Sequence, residues 1–349
     1  MRVAALGRTQ WLYDSIVACR EAGHRIVCIG TGSAQPEYSV TEKDFEQLAR
    51  KLRCDFFSSA SMNQRACLQR IKESEAEVGI SVNFPTLISE RILSQFKYGV
   101  INAHAGDLPR FRGNACPNWA ILTNEDKIVL TLHQMSPGLD SGPILLQREF
   151  LLSPEKYIGD VYRFMAQNIP EMFVQVLEGL ASGTIVFKQQ PDDPALWLRC
   201  LPRLPQDGEI DWRQSAVDLS RLVRANAEPF SGAYSFLGMK KIIIWRAHSE
   251  TLSYNHLGYP GQVIGINKPQ GYVSVLSGKG VLVLEEVEMG LRQRGPASHF
   301  FHSTRVRLGL NVSQNLVDVN ERIFQIEEKL KQFTERVGKR KVRPRSKKS

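Results

Sequence analysis

The sequence predicts an α/β protein: a Rossmann-like open parallel sheet domain, followed by a small β-barrel domain and a C-terminal helix. Strand and helix patterns alternate over about the first 190 residues, which is typical of a sheet with helices on both faces. Four prolines, at positions 191, 194, 202 and 205, then mark a linker. Beyond the linker, short β-prone runs separated by glycines are typical of a small barrel.

In the first domain, short apolar runs alternate with stretches of helical spacing. The chain opens with an apolar strand at 2–6, a helix at 11–22 and a second strand at 25–29. This order favours parallel pairing, because the helix returns the chain to the starting edge of the sheet. Further strands are predicted at 78–82, 100–103, 128–132 and 144–150, and further helices at 42–52, 88–96 and 155–181, the last bent at Pro170.

The second domain is predicted from one helix and five short strands. The helix is expected at 215–224, and the strands at 232–236, 241–247, 261–266, 271–276 and 281–287. The predicted organisation is a sheet domain at 1–190, a linker at 191–206, a barrel domain at 207–310, an amphipathic helix at 314–337 and a disordered basic tail at 338–349.

The composition is that of a globular chain. Hydrophobic residues make up 42% and charged residues 23% of the 349 positions, which is enough apolar material for a sizeable core. No apolar run approaches the ~20 residues that span a bilayer. The six cysteines are scattered, and the N-terminus is typical of a strand and not of a signal peptide. These observations predict a cytoplasmic protein with no membrane contact.

The net charge of +9 is concentrated at the C-terminus. Eight Lys or Arg residues and no acid lie between Arg336 and Ser349, so the rest of the chain sums to +1. A nearly neutral body is a poor nucleic-acid surface, because phosphate contacts supply most non-specific affinity. The basic tail is the one segment suited to nucleic acid, and we interpret it as a solvated extension.

Several standard sites are absent from the sequence. The loop after the first strand has one glycine, Gly7, where a dinucleotide-binding fingerprint needs three. Neither Gly-x-x-x-x-Gly-Lys nor His-Glu-x-x-His occurs. His299 and His302 form an isolated pair that we interpret as surface residues, so no metal is predicted.

Two segments carry residues suited to group-transfer chemistry. Asn102 and His104 lie two positions apart at the end of a predicted strand, so they share one face at the sheet edge where open α/β folds bind ligands. Asp140 lies in a second turn, at 136–142. An amide can donate to a developing oxyanion, an imidazole can move protons, and a carboxylate can orient the imidazole and raise its pKa. The set suits acyl transfer, and a purely structural role is the alternative.

These segments resemble a known signature. Asn102-x-His104, the loop at 108–113 and the turn at 139–144 are similar to the motifs of the formyltransferases that use 10-formyltetrahydrofolate. Residues 207–212 and 223–225, with Pro229, resemble the start of that family's second, OB-fold-like domain. The resemblance spans about residues 80–310. It implies an enzyme whose sheet domain binds the folate and whose catalytic residues are Asn102, His104 and Asp140.

The resemblance also implies which residues contact the folate. They are Phe84, Thr86, Leu87, Ile88, Arg110, Asn114, Ser136, Pro137, Gly138, Leu139 and Asp140. Backbone groups of these loops can hydrogen-bond the pterin edge. Phe84 could pack on the ring but is more simply interpreted as a core residue. Arg110 and Arg112 suit the folate glutamate, a sugar diphosphate, or simple solvation.

The acceptor amine distinguishes members of this family. Methionyl-tRNA formyltransferases carry a basic insertion after the second strand, whereas residues 30–39 here contain no Lys or Arg. Residues 81–88 and 229–234 look more like the sugar-nucleotide N-formyltransferases of lipopolysaccharide or O-antigen synthesis, including the 4-amino-4-deoxy-arabinose enzyme, although Asp107 and Asn114 depart from that pattern. We expect the primary amine of a nucleotide-linked amino sugar as acceptor, with methionyl-tRNA as the alternative.

An alternative of another class is a folate- or nucleotide-sugar-binding protein that kept the fold and lost the reaction. Such a protein has no need to keep a proton-transfer group. The presence of Asn102, His104 and Asp140 together argues against it.

Beyond Asn311 the apolar residues repeat in heptads. They alternate in spacings of three and four: Leu316, Val319, Ile323, Ile326, Leu330, Phe333 and Val337. With Leu316 at position a, Arg322 falls at g and Glu327 at the following e, so a parallel dimer brings opposite charges together. The pattern predicts a homodimer through a coiled coil. One amphipathic helix packed on the barrel is the alternative.

Overall fold

The computed structural model of the chain describes residues 1–35, 38–251, 256–290, 293–309 and 312–341. Most of the predicted basic tail, residues 342–349, lies outside the described residues, as do Pro36 and Glu37 of the segment after the second strand. The chain folds into two compact units. Unit 1 comprises Met1–Gly208 and Arg221–Gly232, and unit 2 comprises Glu209–Ser220 and Ala233–Ser349.

Unit 1 is built on a seven-stranded sheet. Its chain contains the strands β1 (Arg2–Gly7), β2 (Arg25–Thr31), β3 (Asp55–Ser58), β4 (Val78–Val82), β5 (Val100–His104), β6 (Arg112–Gly113), β7 (Lys127–Gln134), β8 (Ile144–Leu151) and β9 (Arg199–Cys200). The sheet order is β3-β2-β1-β4-β5-β7-β8. The first five strands are parallel, whereas β7 pairs antiparallel with β5 and β8 with β7. Strands β6 and β9 form a separate parallel pair.

Helices cover both faces of this sheet. They are α1 (Gln10–Glu21), α2 (Glu42–Leu52), α3 (Arg65–Ser74), α4 (Glu90–Leu93), α5 (Cys116–Leu122) and α6 (Ile158–Ser182). Alternate residues of β1 enter opposite cores: Val3 and Ala5 pack with α1, α2, α5 and α6, whereas Ala4 and Leu6 pack with α3 and α4. This alternation follows from the two-residue period of a strand. Both faces of β1 are therefore buried, as a doubly wound fold requires.

Unit 2 contains a purely antiparallel sheet. Its strands are β10 (Ala233–Leu237), β11 (Lys240–Glu250), β12 (Val263–Asn267), β13 (Tyr272–Leu276), β14 (Val281–Met289) and β15 (Gln293–Pro296), and the order is β10-β11-β14-β13-β12 with β15 on β14. Helix α7 (Ala216–Asn226) contributes residues to both units. The final helix, α8, runs from Val312 to Lys341. The predicted fold class, an α/β domain, a smaller β domain and a C-terminal helix, is confirmed.

The structure differs from the sequence predictions in several elements. Strands β3, β6, β9 and β15 were missed because each has only two to four residues. Helices α3 and α5 were missed because polar residues interrupt the apolar pattern around them. Helix α4 has four residues, where 88–96 was predicted. The sheet is mixed and not wholly parallel, since periodicity carries no information on strand direction. Residues 191–206, predicted as a linker, lie within unit 1, and α8 extends to Lys341.

The long helix α6 forms much of one core. Pro170 lies inside this single helix, which presents an unbroken buried stripe of nine residues: Ile158, Val161, Met165, Ile169, Met172, Phe173, Val176, Leu177 and Leu180.

None of the helices in the described ranges combines the length and apolarity needed to cross a bilayer.

Candidate active site

Asn102 and His104 lie at the carboxyl end of β5. Asn102 is paired with Ser81 of parallel β4 on one side and with His133 of antiparallel β7 on the other. His104 is the last residue of the strand and lies opposite Thr131. The position is the edge of the parallel strands where α/β folds bind their ligands. The antiparallel partner strand adds a second histidine to this edge.

Asp140 joins these side chains into one cluster. Its Oδ2 lies 3.6 Å from Nδ1 of His104, and its Oδ1 lies 3.5 Å from Nε2 of His133. The backbone N–H of Gly113 donates to Oδ2 at 2.9 Å. The Asn102 amide nitrogen is 3.2 Å from Nε2 of His133. The structure thus brings the three residues predicted from the sequence together with a fourth, His133.

Backbone carbonyls decide which ring nitrogens carry hydrogen. Nε2 of His104 lies 2.6 Å from the carbonyl oxygen of Phe111, which can only accept, so Nε2 donates. Nδ1 of His104 then turns a lone pair toward Asp140 and can donate to it only after taking up a proton. Nδ1 of His133 donates to the Gln134 carbonyl at 3.0 Å, so its Nε2 accepts from the Asn102 amide. The cluster is arranged to accept one proton at Nδ1 of His104.

Burial and charge act on the pKa values of this pair in opposite directions. His104 is buried, which lowers its pKa below the usual 6.5 although the charge of Asp140 raises it. Burial acts to raise the pKa of Asp140, but the two imidazoles and the Gly113 N–H outweigh it and hold that pKa well below its usual range. At neutral pH the site therefore holds a carboxylate beside a neutral imidazole.

The turn that carries Asp140 is held by residues far along the chain. Asp140 has a left-handed backbone conformation, with φ of 47°. The Gln190 amide donates to the carbonyls of Asp140 at 2.8 Å and of Gly142 at 2.6 Å, and it accepts from Arg112 at 2.7 Å. Arg112 is buried with its guanidinium 4.6 Å from the centre of the Trp197 ring. Arg112 supports the turn and does not extend into solvent as a free anion-binding group.

Close packing surrounds the Nε2 side of His104. A Cβ added at Gly106 would lie 2.4 Å from this nitrogen and 2.2 Å from the Phe111 carbonyl oxygen. The Cys116 thiol donates to the same carbonyl at 3.0 Å and lies 3.7 Å from Nε2. A hydrogen bond with Cys200 and burial raise the pKa of the Cys116 thiol, which keeps it neutral. The imidazole is therefore locked in one orientation.

The loop after β4 carries four of the residues expected to contact folate. Phe84 is half-buried and packs on the core that contains α3 and α4, and Ile88 is 2% exposed. Thr86 and Leu87 are exposed. The Asn63 amide donates to the Leu87 carbonyl at 3.0 Å and holds the loop in place. A contact at Ile88 is therefore restricted to its backbone, because its side chain belongs to the core.

The remaining residues expected to contact folate differ in their exposure and in whether they already have hydrogen-bond partners. In the turn before Asp140, Pro137 and Gly138 are exposed, whereas Ser136 and Leu139 are half-buried. Asn114 is exposed. Arg110 is held by the Glu125 carboxylate through two hydrogen bonds, of 2.8 and 3.1 Å. A folate carboxylate would have to compete with Glu125 for this arginine.

Sequence reasoning missed His133 and Gln190. His133 is seven positions before Asp140 but comes opposite Asn102 only because β7 runs antiparallel to β5. Gln190 comes from the start of the proline-rich segment and has no local pattern that singles it out. The strand assignment at 128–132 was one residue short of His133, which was the nearest available signal.

No group of three or more His, Cys, Asp or Glu side chains suited to a metal ion occurs in the described parts of the chain.

An amide, two imidazoles and a carboxylate at the ligand-binding edge of an α/β sheet suit a group-transfer enzyme. The chain belongs to the formyltransferase family: the formyl transferase domain matches residues 1–177, and the C-terminal domain of formyl transferases matches residues 204–305. The formyl donor of this family is 10-formyltetrahydrofolate, as predicted from the sequence.

A curated relative matches this chain over nearly its whole length. The methionyl-tRNA formyltransferase of Agathobacter rectalis is 26% identical over 312 residues, which cover 88% of this chain and 98% of that protein.

Solved structures share the fold. An N-formyltransferase from Helicobacter canadensis, in complex with folinic acid and dTDP-3-aminofucose, gives a TM-score of 0.59 at 14% identity, over 81% of this chain and 97% of that one. HypX from Aquifex aeolicus, in complex with tetrahydrofolic acid, gives a TM-score of 0.55 at 17% identity, over 87% of this chain. This chain spans about half the length of HypX, 47%.

The site predicts an unusual titration of His104. Because burial disfavours the imidazolium, its pKa should lie below 6.5, and Asp140→Asn should lower it further by removing the nearby negative charge. Since the unfolded imidazole binds its proton at higher pH, the stability contributed by this group is present above about pH 6.5 and falls below it. NMR titration of labelled histidines, assigned with a His104→Gln variant, measures both. An unchanged His104 pKa in folded Asp140→Asn protein would contradict the coupling.

Proposed function

We propose that this enzyme transfers the formyl group of 10-formyltetrahydrofolate to the primary amine of a nucleotide-linked amino sugar, with Asn102, His104 and Asp140 as its catalytic residues. The observation that supports this most directly is the free Nδ1 of His104 beside the Asp140 carboxylate. An amine that attacks a carbonyl must lose a proton, and this pair is built to take one up.

In the proposed reaction, the amine nitrogen bonds to the formyl carbon and the carbonyl electrons move to oxygen. Nδ1 of His104 accepts the proton released by the new ammonium, and Asp140 stabilises the imidazolium. The same proton then passes to the folate nitrogen as its bond to the formyl carbon breaks. The products are a formamide and tetrahydrofolate, with no net change in the protein.

Asn102 is proposed to stabilise the oxyanion. One N–H of its amide donates to His133, and its second N–H has no partner within the part of the chain that the structure describes. A side-chain amide held by a buried imidazole is pre-organised for an oxygen that becomes negative during the reaction. His133 then acts as a positioning residue, because its contact is with Asn102 and Asp140.

The folate is proposed to bind along the loop after β4 and the turn before Asp140, which both leave the edge that carries His104. The exposed residues Thr86, Leu87, Pro137 and Gly138 support this, since they leave both segments accessible to a ligand. Phe84 packs in the core, so stacking on the ring is not supported.

The choice of a sugar acceptor rests on charge. The chain outside the basic C-terminal segment carries a net charge of +1, and residues 30–39 contain no cation. A tRNA-binding surface needs Lys and Arg contacts to phosphates. The similarity of fold to a sugar N-formyltransferase is consistent with this proposal.

Methionyl-tRNA is the second candidate acceptor. The Agathobacter rectalis relative, which matches over 98% of its own length, supports it. The basic segment after Arg336 would then supply the phosphate contacts that the body lacks.

The catalytic assignment predicts large losses of turnover. His104→Ala should lower kcat by about 10²- to 10⁴-fold through loss of the proton acceptor, and Asn102→Ala by about 10²- to 10³-fold through loss of an oxyanion donor. Folate affinity should change little in both variants. His302→Ala, an exposed histidine of unit 2, is the matched control. Near-normal turnover in His104→Ala, or an effect of Asn102→Ala on KM alone, would refute the respective role.

The acceptor can be identified directly. Purified enzyme with 10-formyltetrahydrofolate is offered a panel of UDP- and dTDP-linked amino sugars and, separately, methionyl initiator tRNA. We expect a mass gain of one formyl group on an amino sugar, absent with His104→Ala. Formylation of methionyl-tRNA alone would show that the second candidate is correct, and release of tetrahydrofolate with neither acceptor would contradict both.

We also propose that the enzyme is a homodimer joined through α8. Leu316, Ile323, Ile326, Leu330 and Phe333 are between 47% and 66% exposed in the single chain, although apolar side chains in this number are normally covered. Their heptad spacing and the complementary charges of Arg322 and Glu327 suit a parallel second copy of α8. Val317 and Phe324, both at least half exposed, widen the stripe. The side chain of Val337 lies outside the described residues.

The dimer can be tested in the full chain. Ile323→Glu with Leu330→Glu places charges at two a positions and should halve the mass measured by light scattering. Gln325→Glu with Gln332→Glu adds the same charge at two c positions of the same helix and should leave the dimer intact. Equal masses for the two double variants would exclude the stripe as the interface.

A further inference from the structure

A second cleft lies at the opposite end of the sheet from the catalytic cluster. It has a volume of about 840 Å³ and is formed by the amino ends of β1, β2 and β3 and the carboxyl ends of α1, α2 and α3. His104 lies at the carboxyl end of its strand, so the length of a strand, about 20 Å for six residues, separates the two edges. Nothing in the proposed reaction uses this cleft.

Positive charge dominates the lining of this cleft. Five arginines and two acidic residues line it. The acids are already engaged: Asp55 accepts two hydrogen bonds from Arg70, and Glu73 accepts one from Gln69 at 2.6 Å. The negative charge in the cleft is therefore largely satisfied before any ligand arrives.

Three of the arginines have no protein partner. Across the described residues, the guanidinium groups of Arg20, Arg25 and Arg53 make no hydrogen bond or ion pair, and all three residues are exposed. They come from the last turn of α1, the start of β2 and the end of α2. Three elements distant in sequence thus direct unpaired guanidinium groups into one cleft, and guanidinium groups suit phosphate oxygens.

The negative ends of the three helix dipoles do not balance the positive charge of the arginines. Each helix carboxyl end carries about half a negative charge, so three ends amount to about −1.5. The lining side chains exceed this with three positive charges in excess. Arg53 also adopts a left-handed conformation, with φ of 53°, at a position where glycine is free of strain. An arginine occupies this position although its backbone conformation is strained for a residue with a Cβ.

We propose that this cleft binds a nucleoside di- or triphosphate, with its phosphates on Arg20, Arg25 and Arg53. The lining is mostly polar and includes three apolar residues, Ile26, Val27 and Leu52, which give a base or ribose a small apolar contact beside the arginines. A site at the amino edge lets the enzyme bind a nucleotide without occupying the catalytic edge. The proposal concerns a separate site and does not depend on which amine is formylated.

Calorimetry on the full chain tests the site, with inorganic triphosphate and ATP as probes and with no folate or amine present. Arg25→Ala with Arg53→Ala should weaken ATP binding at least ten-fold. Lys43→Ala with Arg50→Ala removes the same charge from α2 outside the cleft and should change it less than two-fold. His104→Ala should bind ATP normally, which separates this site from the catalytic one. Formyl transfer should be unchanged in both double variants.

Four results would overturn the proposal. They are no binding of ATP at low salt, an equal loss of affinity in both double variants, inorganic triphosphate binding as tightly as ATP, and a short RNA binding more tightly than ATP through the same arginines. Tighter binding of ATP than of triphosphate, lost only in the cleft variant, supports it. Failure here leaves the proposed formyl transfer untouched, since that depends on the opposite edge of the sheet.

Discussion

The charge of one largely buried carboxylate organises the candidate active site of this protein. The Asp140 side chain is 15% exposed, and an ionised group so far from water must be compensated by its neighbours. The Gly113 N–H supplies a hydrogen bond, and the His104 and His133 rings lie within 3.6 Å of the carboxylate, where either ring compensates the charge once it takes up a proton. The end of β5, the strand β7 and the loop before Gly113 must all converge on this point. The negative charge of Asp140 also favours a proton on the neighbouring His104 ring.

Much of the fold could be predicted from local patterns. Strand β4 and helix α2 have the predicted bounds, because a five-residue run with one small polar residue, Ser81, and a strongly amphipathic eleven-residue segment each allow one interpretation. Strand β3 is four residues long and half-buried, so its pattern is too short to detect. The direction of β7 could not be predicted, since the same alternation of side chains serves parallel and antiparallel partners. The antiparallel pairing of β7 with β5 gives the candidate site its second histidine.

The candidate site was predictable where it depends on spacing and not where it depends on register. Asn102 and His104 share a face because they are two residues apart in a strand, and any strand would place them so. His133 reaches Asn102 only through the pairing of β5 with β7, and Gln190 reaches Asp140 across fifty positions of chain. The residues expected to contact the folate also depend on features that the sequence does not show. Exposure of Leu87 and burial of Ile88 depend on how the loop packs, which a list of residue types does not contain.

The clamp of Gln190 on the Asp140 turn has a consequence for how such enzymes can be recombined. The proline-rich segment at 191–206 looks like a joint at which evolution or an engineer would exchange the C-terminal domain. Yet this segment contributes Trp197 to Arg112 and pairs β9 with β6, and unit 1 extends to Gly208. The portable module therefore ends after the segment and not before it. A chimera cut after residue 190 would inherit the side chains of the candidate site but lose Trp197 and β9, which support Arg112 and the Asp140 turn.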